Sequence, residues 1–452
     1  MSKSSTFPTL RKAFGHTFTI RFVLMAIGFG TSVLVARALG AEGRGEYALI
    51  LVVIQLLAPI GGILHGGNSI LVGRNPEWFA YLVMQTIAWC TLLAVVVCSG
   101  MLLLPDGVLA TIFGRTDLAT IAVVTFTLWG MTSEAGLRDL LMGRQRFFFV
   151  NWTELGSAVF HLTGALTLFL WSKTLGVIFI LSVVSAKNAI KVFTYLSRWG
   201  CSTSGIYVKN IHRKLLSSSL KIGTRKVILG ISTMLILKVD IWLLGYMSEE
   251  STIGIYHVAV GVCTVFLAIT QVLNSLVKAK SVSEKGGAGR AVLVSKMVLI
   301  AGIIGCAIMA RFGEIFFRNI YGSEFASAYD PATILIIALV GWGYSSPLAG
   351  YIVGKRKYPW FVVIGAIIAL VLNVGLNFWW IPIWKANGAA FASLATYIFM
   401  MSLFVYEFWK NTDIYLTQFF WVNEDERELL VNMFNNILAE VSQRVKMHRG
   451  RG

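Results

Sequence analysis

Long apolar runs, each of about 20 residues or more and parted by short polar turns, organise this chain. They fall at 14–38, 47–72, 78–104, 118–142, 148–171 and 174–197, then at 220–246, 253–277, 292–317, 331–353, 359–383 and 386–410. Runs of this length predict helices that cross a bilayer, because a barrel strand needs only roughly 10 alternating residues. Backbone groups in lipid must be paired within the segment, which a helix does. The expected fold is therefore an all-α polytopic membrane protein of about 12 transmembrane helices. The N-terminal stretch resembles a signal sequence, with Lys3, Arg11 and Lys12 ahead of an apolar region. It is too long for a cleaved segment and is interrupted by Thr17, Thr19 and Arg21, so it reads as a retained first span.

Composition supports the membrane reading. Hydrophobic residues make up 56% of the 452-residue chain and charged residues only 13%, and the mean hydropathy is +0.72. A soluble chain would carry roughly 25% charge. The net charge of +17 would suggest nucleic acid in a soluble protein. Here the cations lie mainly in short loops, where they set orientation and meet anionic membrane lipid, and no nucleic-acid partner is expected. Loops on the side of the termini carry Arg74, then Arg144 and Arg146, then Lys209, Arg213 and Lys214, then Lys278, Lys280 and Lys285, then Lys355, Arg356 and Lys357. The opposite loops hold strays such as Arg44, Arg115 and Lys385, with Glu249 and Glu250 beside them. Both termini are therefore expected in the cytoplasm.

The second half of the chain restarts the first. Tyr47 is matched by Tyr256, 209 residues on, and Ile112-Phe113-Gly114 by Ile320-Tyr321-Gly322, 208 on. Gly143-Arg144-Gln145-Arg146 is matched by Gly354-Lys355-Arg356-Lys357, 211 on, and Gly176 by Gly388, 212 on. One nearly constant offset in one order implies two pseudo-symmetric six-helix bundles. The expected units are 1–197, a cytoplasmic linker 198–219, 220–410, and a cytoplasmic tail 411–452. Within the linker and tail, Ile206 to Leu220 reads either as an interfacial amphipathic helix or as a solvated linker, and Glu424 to Met447 as one surface helix. An even number of spans per half makes the repeats parallel, a design that encloses a central cavity and works by alternating access.

At these landmarks the sequence resembles the polysaccharide-unit (O-antigen type) flippases of the multidrug/oligosaccharidyl-lipid/polysaccharide exporter superfamily. The residues concerned are Ala36-Arg37-Ala38-Leu39-Gly40 with Gly45-Glu46-Tyr47, Val239-Asp240 with Leu243-Leu244-Gly245, Gly254-Ile255-Tyr256, Ile320-Tyr321-Gly322-Ser323-Glu324-Phe325, and Gly388-Ala389-Ala390-Phe391-Ala392. Lys238 stands two positions before Asp240, a displacement from the usual basic residue. The resemblance implies flipping of an undecaprenyl-diphosphate-linked oligosaccharide between leaflets of a bacterial inner membrane, a cationic cavity and coupling to an ion gradient. Polysaccharide polymerase and glycosyltransferases are the protein partners it suggests.

A diphosphate needs cations, ideally Arg, and a polar path through the lipid. Substrate-binding candidates are Arg21, Arg138, Lys187, Lys238, Asn373 and Asn377. Arg21 reads either as a diphosphate contact or as a snorkelling or ion-paired structural residue. Arg138 lies four residues after Glu134, the spacing of a helical ion pair. Lys187, in the same span as Lys191, has no acid on its own helix. Arg37 complements the end of its helix dipole. Ion-coupling candidates are Asp240 first, then Glu134, Glu154 and His161, the last two standing two helical turns apart on one face. No nucleophile elbow, phosphate-binding loop, metal-ligand spacing or sizeable soluble region occurs in the sequence, so neither an enzyme nor a cofactor is expected. A multidrug or small-cation exporter is the alternative; it would call for an acidic, aromatic cavity.

Overall fold

The computed structural model describes residues 7–172, 174–197, 212–281, 287–356 and 360–419. Among them are twelve α-helices: α1 (Phe7–His65), α2 (Asn68–Arg74), α3 (Phe79–Leu103), α4 (Asp106–Phe113), α5 (Leu118–Gly143), α6 (Phe147–Leu170), α7 (Val177–Ser197), α8 (His212–Met247), α9 (Glu250–Ser281), α10 (Gly287–Phe316), α11 (Tyr329–Arg356) and α12 (Trp360–Lys410). The tail helix expected at 424–447 and residues 206–211 of the expected amphipathic segment lie outside the described residues. Residues 212–219, expected as linker, already belong to α8.

Two of these helices are hairpins. At 1.5 Å per residue the 59 residues of α1 would extend roughly 90 Å, against a hydrocarbon core of about 30 Å. The chain breaks at Gly40, with φ 68° and ψ −175°, a conformation that costs glycine little. Ser32 and Arg44 then face each other across the bend, Arg44 Nη2 donating to Ser32 Oγ at 3.1 Å. In α12 the break is at Lys385, with φ 48° and ψ −123°. There Asn373 Nδ2 donates to Thr396 Oγ1 at 3.2 Å, and the rings of Trp384 and Phe391 lie 5.7 Å apart. The described residues contain ten segments long and apolar enough to cross a membrane, of which 19–74 and 361–410 are these double-length hairpins. Twelve crossing arms result, as the apolar runs predict, and the chain is a multi-pass, all-α membrane protein.

The internal repeat has a conformational counterpart. Gly114 and Gly322, 208 residues apart in sequence, both adopt positive φ, 71° and 116°. Each closes a short element at the end of the molecule away from α1's start: α4 in the first half and the π-helical turn Phe317–Tyr321 in the second.

The second arm of α1 packs on α8 and α9. Glycine makes that approach possible at both ends. A Cβ on Gly45 would overlap the carbonyl of Glu250, one on Gly254 the carbonyl of Ala41, and one on Gly223 the carbonyl of Ile63. Without a hydrophobic drive between helices in lipid, such backbone-to-backbone packing holds the halves together. The Gly40 bend is latched to the second half as well. Arg37 Nε donates to the Ile320 carbonyl at 2.7 Å, its Nη2 donates to the Asn319 carbonyl, and Glu324 Oε2 accepts from the Ala41 amide at 3.1 Å. Arg37 thus ties the two halves in addition to standing at the end of its own helix arm.

The apolar core differs between halves. In the second half one cluster runs from Ile236 to Phe419 and takes in Ala36, Ala48, Leu49 and Val52 of α1. In the first half the core is split. One cluster, including Leu93, Leu128 and Val183, lies toward the Gly40 bend, and another, including Leu82, Leu137 and Val192, lies toward the start of α3. The gap between them is polar.

Replacing Gly254 with Val should separate α9 from the Gly40 bend. Overpacking of this kind costs about 1–3 kcal/mol, so the purified protein in detergent should unfold at a lower temperature than wild type.

Candidate functional site

The gap in the first-half core holds a cavity of about 640 Å³. One face of α1's second arm lines it, through Tyr47, Leu51, Gln55, Ala58, Gly62 and His65. These positions recur every three or four residues, which puts them on one helical stripe. Across the cavity stand Glu134 and Arg138 of α5, His161 of α6, and Lys187, Asn188 and Lys191 of α7, while Met234 of α8 is the contribution of the second half. A recess of about 260 Å³ shares Arg138, His161, Lys187 and Lys191 and extends to Glu154 and to Leu24, Gly28 and Thr31 on α1's first arm.

The charges in this cavity are networked. Arg138 Nη1 lies 3.2 Å from Glu154 Oε1, and Arg138 Nε lies 3.8 Å from Glu134 Oε1, the expected pair at four-residue spacing. Lys191 Nζ lies 3.4 Å from the same Glu134 oxygen. Glu134 and Glu154 are buried, whereas Arg138, Lys187 and Lys191 are half-buried. Lys187 makes no ion pair among the described residues and borders both lobes. Three cations therefore face two carboxylates. Charges at membrane depth are costly unless they face protein or water, and these face both partners and an open space. The Nε2 of His161 is buried without a hydrogen-bond partner, two helical turns from Glu154 and in the same recess.

The ten residues expected at the site do not gather at one place. Arg138, Lys187, Glu134, Glu154 and His161 do. Arg21 is exposed and one turn before Leu24, on the stripe 21, 24, 28 and 31 that leads into the recess. Lys238, Asp240, Asn373 and Asn377 lie in the second half and do not line this cavity. Asp240 is buried and accepts from Tyr256 Oη at 2.6 Å, from Ser393 Oγ at 3.1 Å and from the Ile241 amide at 2.8 Å. It joins α8, α9 and the second arm of α12. Asn377 Nδ2 donates to the Asn373 carbonyl at 2.8 Å, and Asn373 continues to Thr396. Asn373 thereby ties the two arms of α12 together, and Asn377 braces it from the same arm. Lys191 was visible in the sequence as a charge within a span, but only the fold shows that it shares Glu134 with Arg138. The α1 stripe through Gln55 and the amide of Asn188 belong to the site without any such signal beyond helical spacing.

The sequence profile of the polysaccharide biosynthesis protein family matches residues 10–282. The chain belongs to that family. Among curated protein sequences none matches this chain. Among solved structures, the lipid II flippase MurJ in an inward closed conformation superposes with a TM-score of 0.72 at 14% identity, covering 89% of this chain and 88% of that one. An inward-facing multidrug resistance MATE family transporter of the MOP superfamily gives 0.66 at 11% identity, with 87% and 99% covered. A MOP superfamily transporter from Pyrococcus furiosus, described as having a binding pocket of reversed polarity, gives 0.63 at 12%, with 88% and 93% covered. At these identities the likeness establishes a shared fold.

The hydrogen bonds around Asp240 predict that Tyr256→Phe costs about 1–3 kcal/mol, because a buried carboxylate loses a donor. The check is the unfolding temperature of the purified variant, which should fall below that of wild type.

Proposed function

We propose that this protein is a secondary transporter that flips undecaprenyl-diphosphate-linked oligosaccharide units from the cytoplasmic to the periplasmic leaflet of a bacterial inner membrane, with both termini in the cytoplasm. The observation that carries the reading is the cation surplus in the first-half cavity: Arg138, Lys187 and Lys191 against Glu134 and Glu154. A diphosphate brings the negative charge this arrangement lacks. Arg138 offers a planar fork for phosphate oxygens, and Lys187, free of an ion pair among the described residues, offers a point charge. Family membership and the MurJ-like fold support a lipid-linked polysaccharide unit as the cargo. Arg21, one turn before Leu24 of the recess, would meet the head group first. The units 1–197 and 220–410 would rock about the glycine-packed contact of α1 with α8 and α9. Polysaccharide polymerase and glycosyltransferases remain the natural partners for a protein that hands over such units.

Coupling to an ion gradient fits Glu134 and Glu154 better than Asp240. Each glutamate holds Arg138, so protonating either one would release a cation to the substrate. His161 stands in the same recess and could pass the proton. Asp240 already accepts three hydrogen bonds and has no opening onto this cavity. A multidrug or small-cation exporter would need free carboxylates in the cavity, and both of these are paired with cations.

Two measurements test the reading. In cells lacking their own exporter, Lys187→Gln and Arg138→Gln at normal protein level should abolish most surface polysaccharide; wild-type amounts from both would sink the cavity assignment. In vesicles loaded with lipid-linked oligosaccharide, Glu134→Gln should lose substrate-dependent proton uptake while Asp240→Asn, in its folded fraction, keeps it; the reverse pattern returns the coupling role to Asp240.

A further inference from the structure

Arg44 is 5% exposed, in the first turn after the Gly40 break. Its position continues the cavity stripe of α1 by one step: 44, 47, 51, 55, 58, 62 and 65 recur at three or four residues, and all after the first line the cavity. It therefore stands just beyond Tyr47, at the end of the cavity nearest the Gly40 bend, with its guanidinium carbon 5.2 Å from the centre of the Tyr47 ring.

A guanidinium has five N–H donors and cannot shed its proton. Arg44 Nη2 donates to Ser32 Oγ at 3.1 Å, and its Nε is buried with no acceptor. Among the described residues no carboxylate forms an ion pair with it. The nearby acids are committed elsewhere: Glu46 to Arg115 at 2.8 Å, and Glu324 to the amide of Ala41 at 3.1 Å. A second buried polar atom without a partner, His257 Nδ1, faces the same neighbourhood, its ring 6.4 Å from that of Tyr47. Burying a charge without a counter-charge is strongly unfavourable, so a side chain kept only to tie helices together would be supplied with acceptors.

We propose that Arg44 is a second anion-binding position, which takes the diphosphate from the Arg138–Lys187–Lys191 cluster as the substrate moves toward the Gly40 bend. This rests on the reading of that cluster as the diphosphate site. The stripe of α1 then has a cation beyond its far end, the α5–α7 cluster along its middle, and Arg21 on the other arm, one turn before Leu24 of the recess.

The test measures binding of farnesyl diphosphate to the full chain in detergent, together with the unfolding temperature, for wild type, Arg44→Gln, Arg44→Lys and Lys187→Gln. Arg44→Gln should bind about tenfold more weakly, the worth of one charge-assisted hydrogen bond, and should unfold at the wild-type temperature or above it, since an uncompensated charge has been removed. Arg44→Lys should recover part of the affinity. Unchanged binding by Arg44→Gln overturns the inference. So does weaker binding that accompanies a lower unfolding temperature and is not recovered by Lys, because that pattern marks a structural tie. The two readings fail separately. Equal binding by wild type and Lys187→Gln removes the cluster, whereas weakened Lys187→Gln beside unaffected Arg44→Gln removes Arg44 alone.

Discussion

The structure depends on one constraint: charge placed at membrane depth must be held by other charge or by water. The first half meets it by interrupting its own core. Two apolar clusters are parted by a layer in which Glu134 and Glu154 hold Arg138 and Lys191. That layer encloses an open space because three cations and two carboxylates cannot neutralise one another. The second half meets the same constraint around Asp240 by hydrogen bonding. Asp240 is enclosed by three donors, and Asn373 reaches across the α12 hairpin to Thr396, within a core that runs unbroken. The two halves thus differ in how they hold buried charge. One surrounds its charges with an open space, and the other encloses its buried Asp240 in donors.

The contact between the halves follows a second rule, that of helix packing in lipid. Backbones approach where side chains vanish, at Gly45, Gly254 and Gly223. This brings the second arm of α1 against α8 and α9 while its other face lines the cavity. One helix arm therefore serves both as the seam between halves and as the cavity wall. Movement at the seam would then change the shape of the cavity. The Arg37 latch to Ile320 and Asn319, and the Glu324 contact with Ala41, fasten that arm at the Gly40 bend. Arg44, a turn further on, is placed where opening of the latch would alter its surroundings.

Much of this was legible in the chain itself. Run length gave twelve crossings, because span length is set by bilayer thickness and side-chain hydrophobicity is a local property. The ion pair of Arg138 with Glu134 followed from four-residue spacing, and the shared recess of Glu154 and His161 from seven. The breaks at Gly40 and Lys385, which turn two long helices into hairpins, also fall in the turns between predicted spans.

What the sequence could not decide was which buried polar residues share a space. Asp240 and Lys187 look alike in the chain, each a charge in an apolar run with one lysine close by. Their difference lies in partners brought from other helices: Tyr256 and Ser393 for Asp240, and for Lys187 a cavity walled by Glu134, Arg138, His161 and the second arm of α1. Such neighbours depend on how the arms cross, and crossing is set by glycine contacts between helices, which no pattern within one helix reports. Run length and periodicity determined the elements and their order. The tertiary structure alone decided where charge was left facing an open cavity, because satisfaction of a buried charge is a property of everything packed around it.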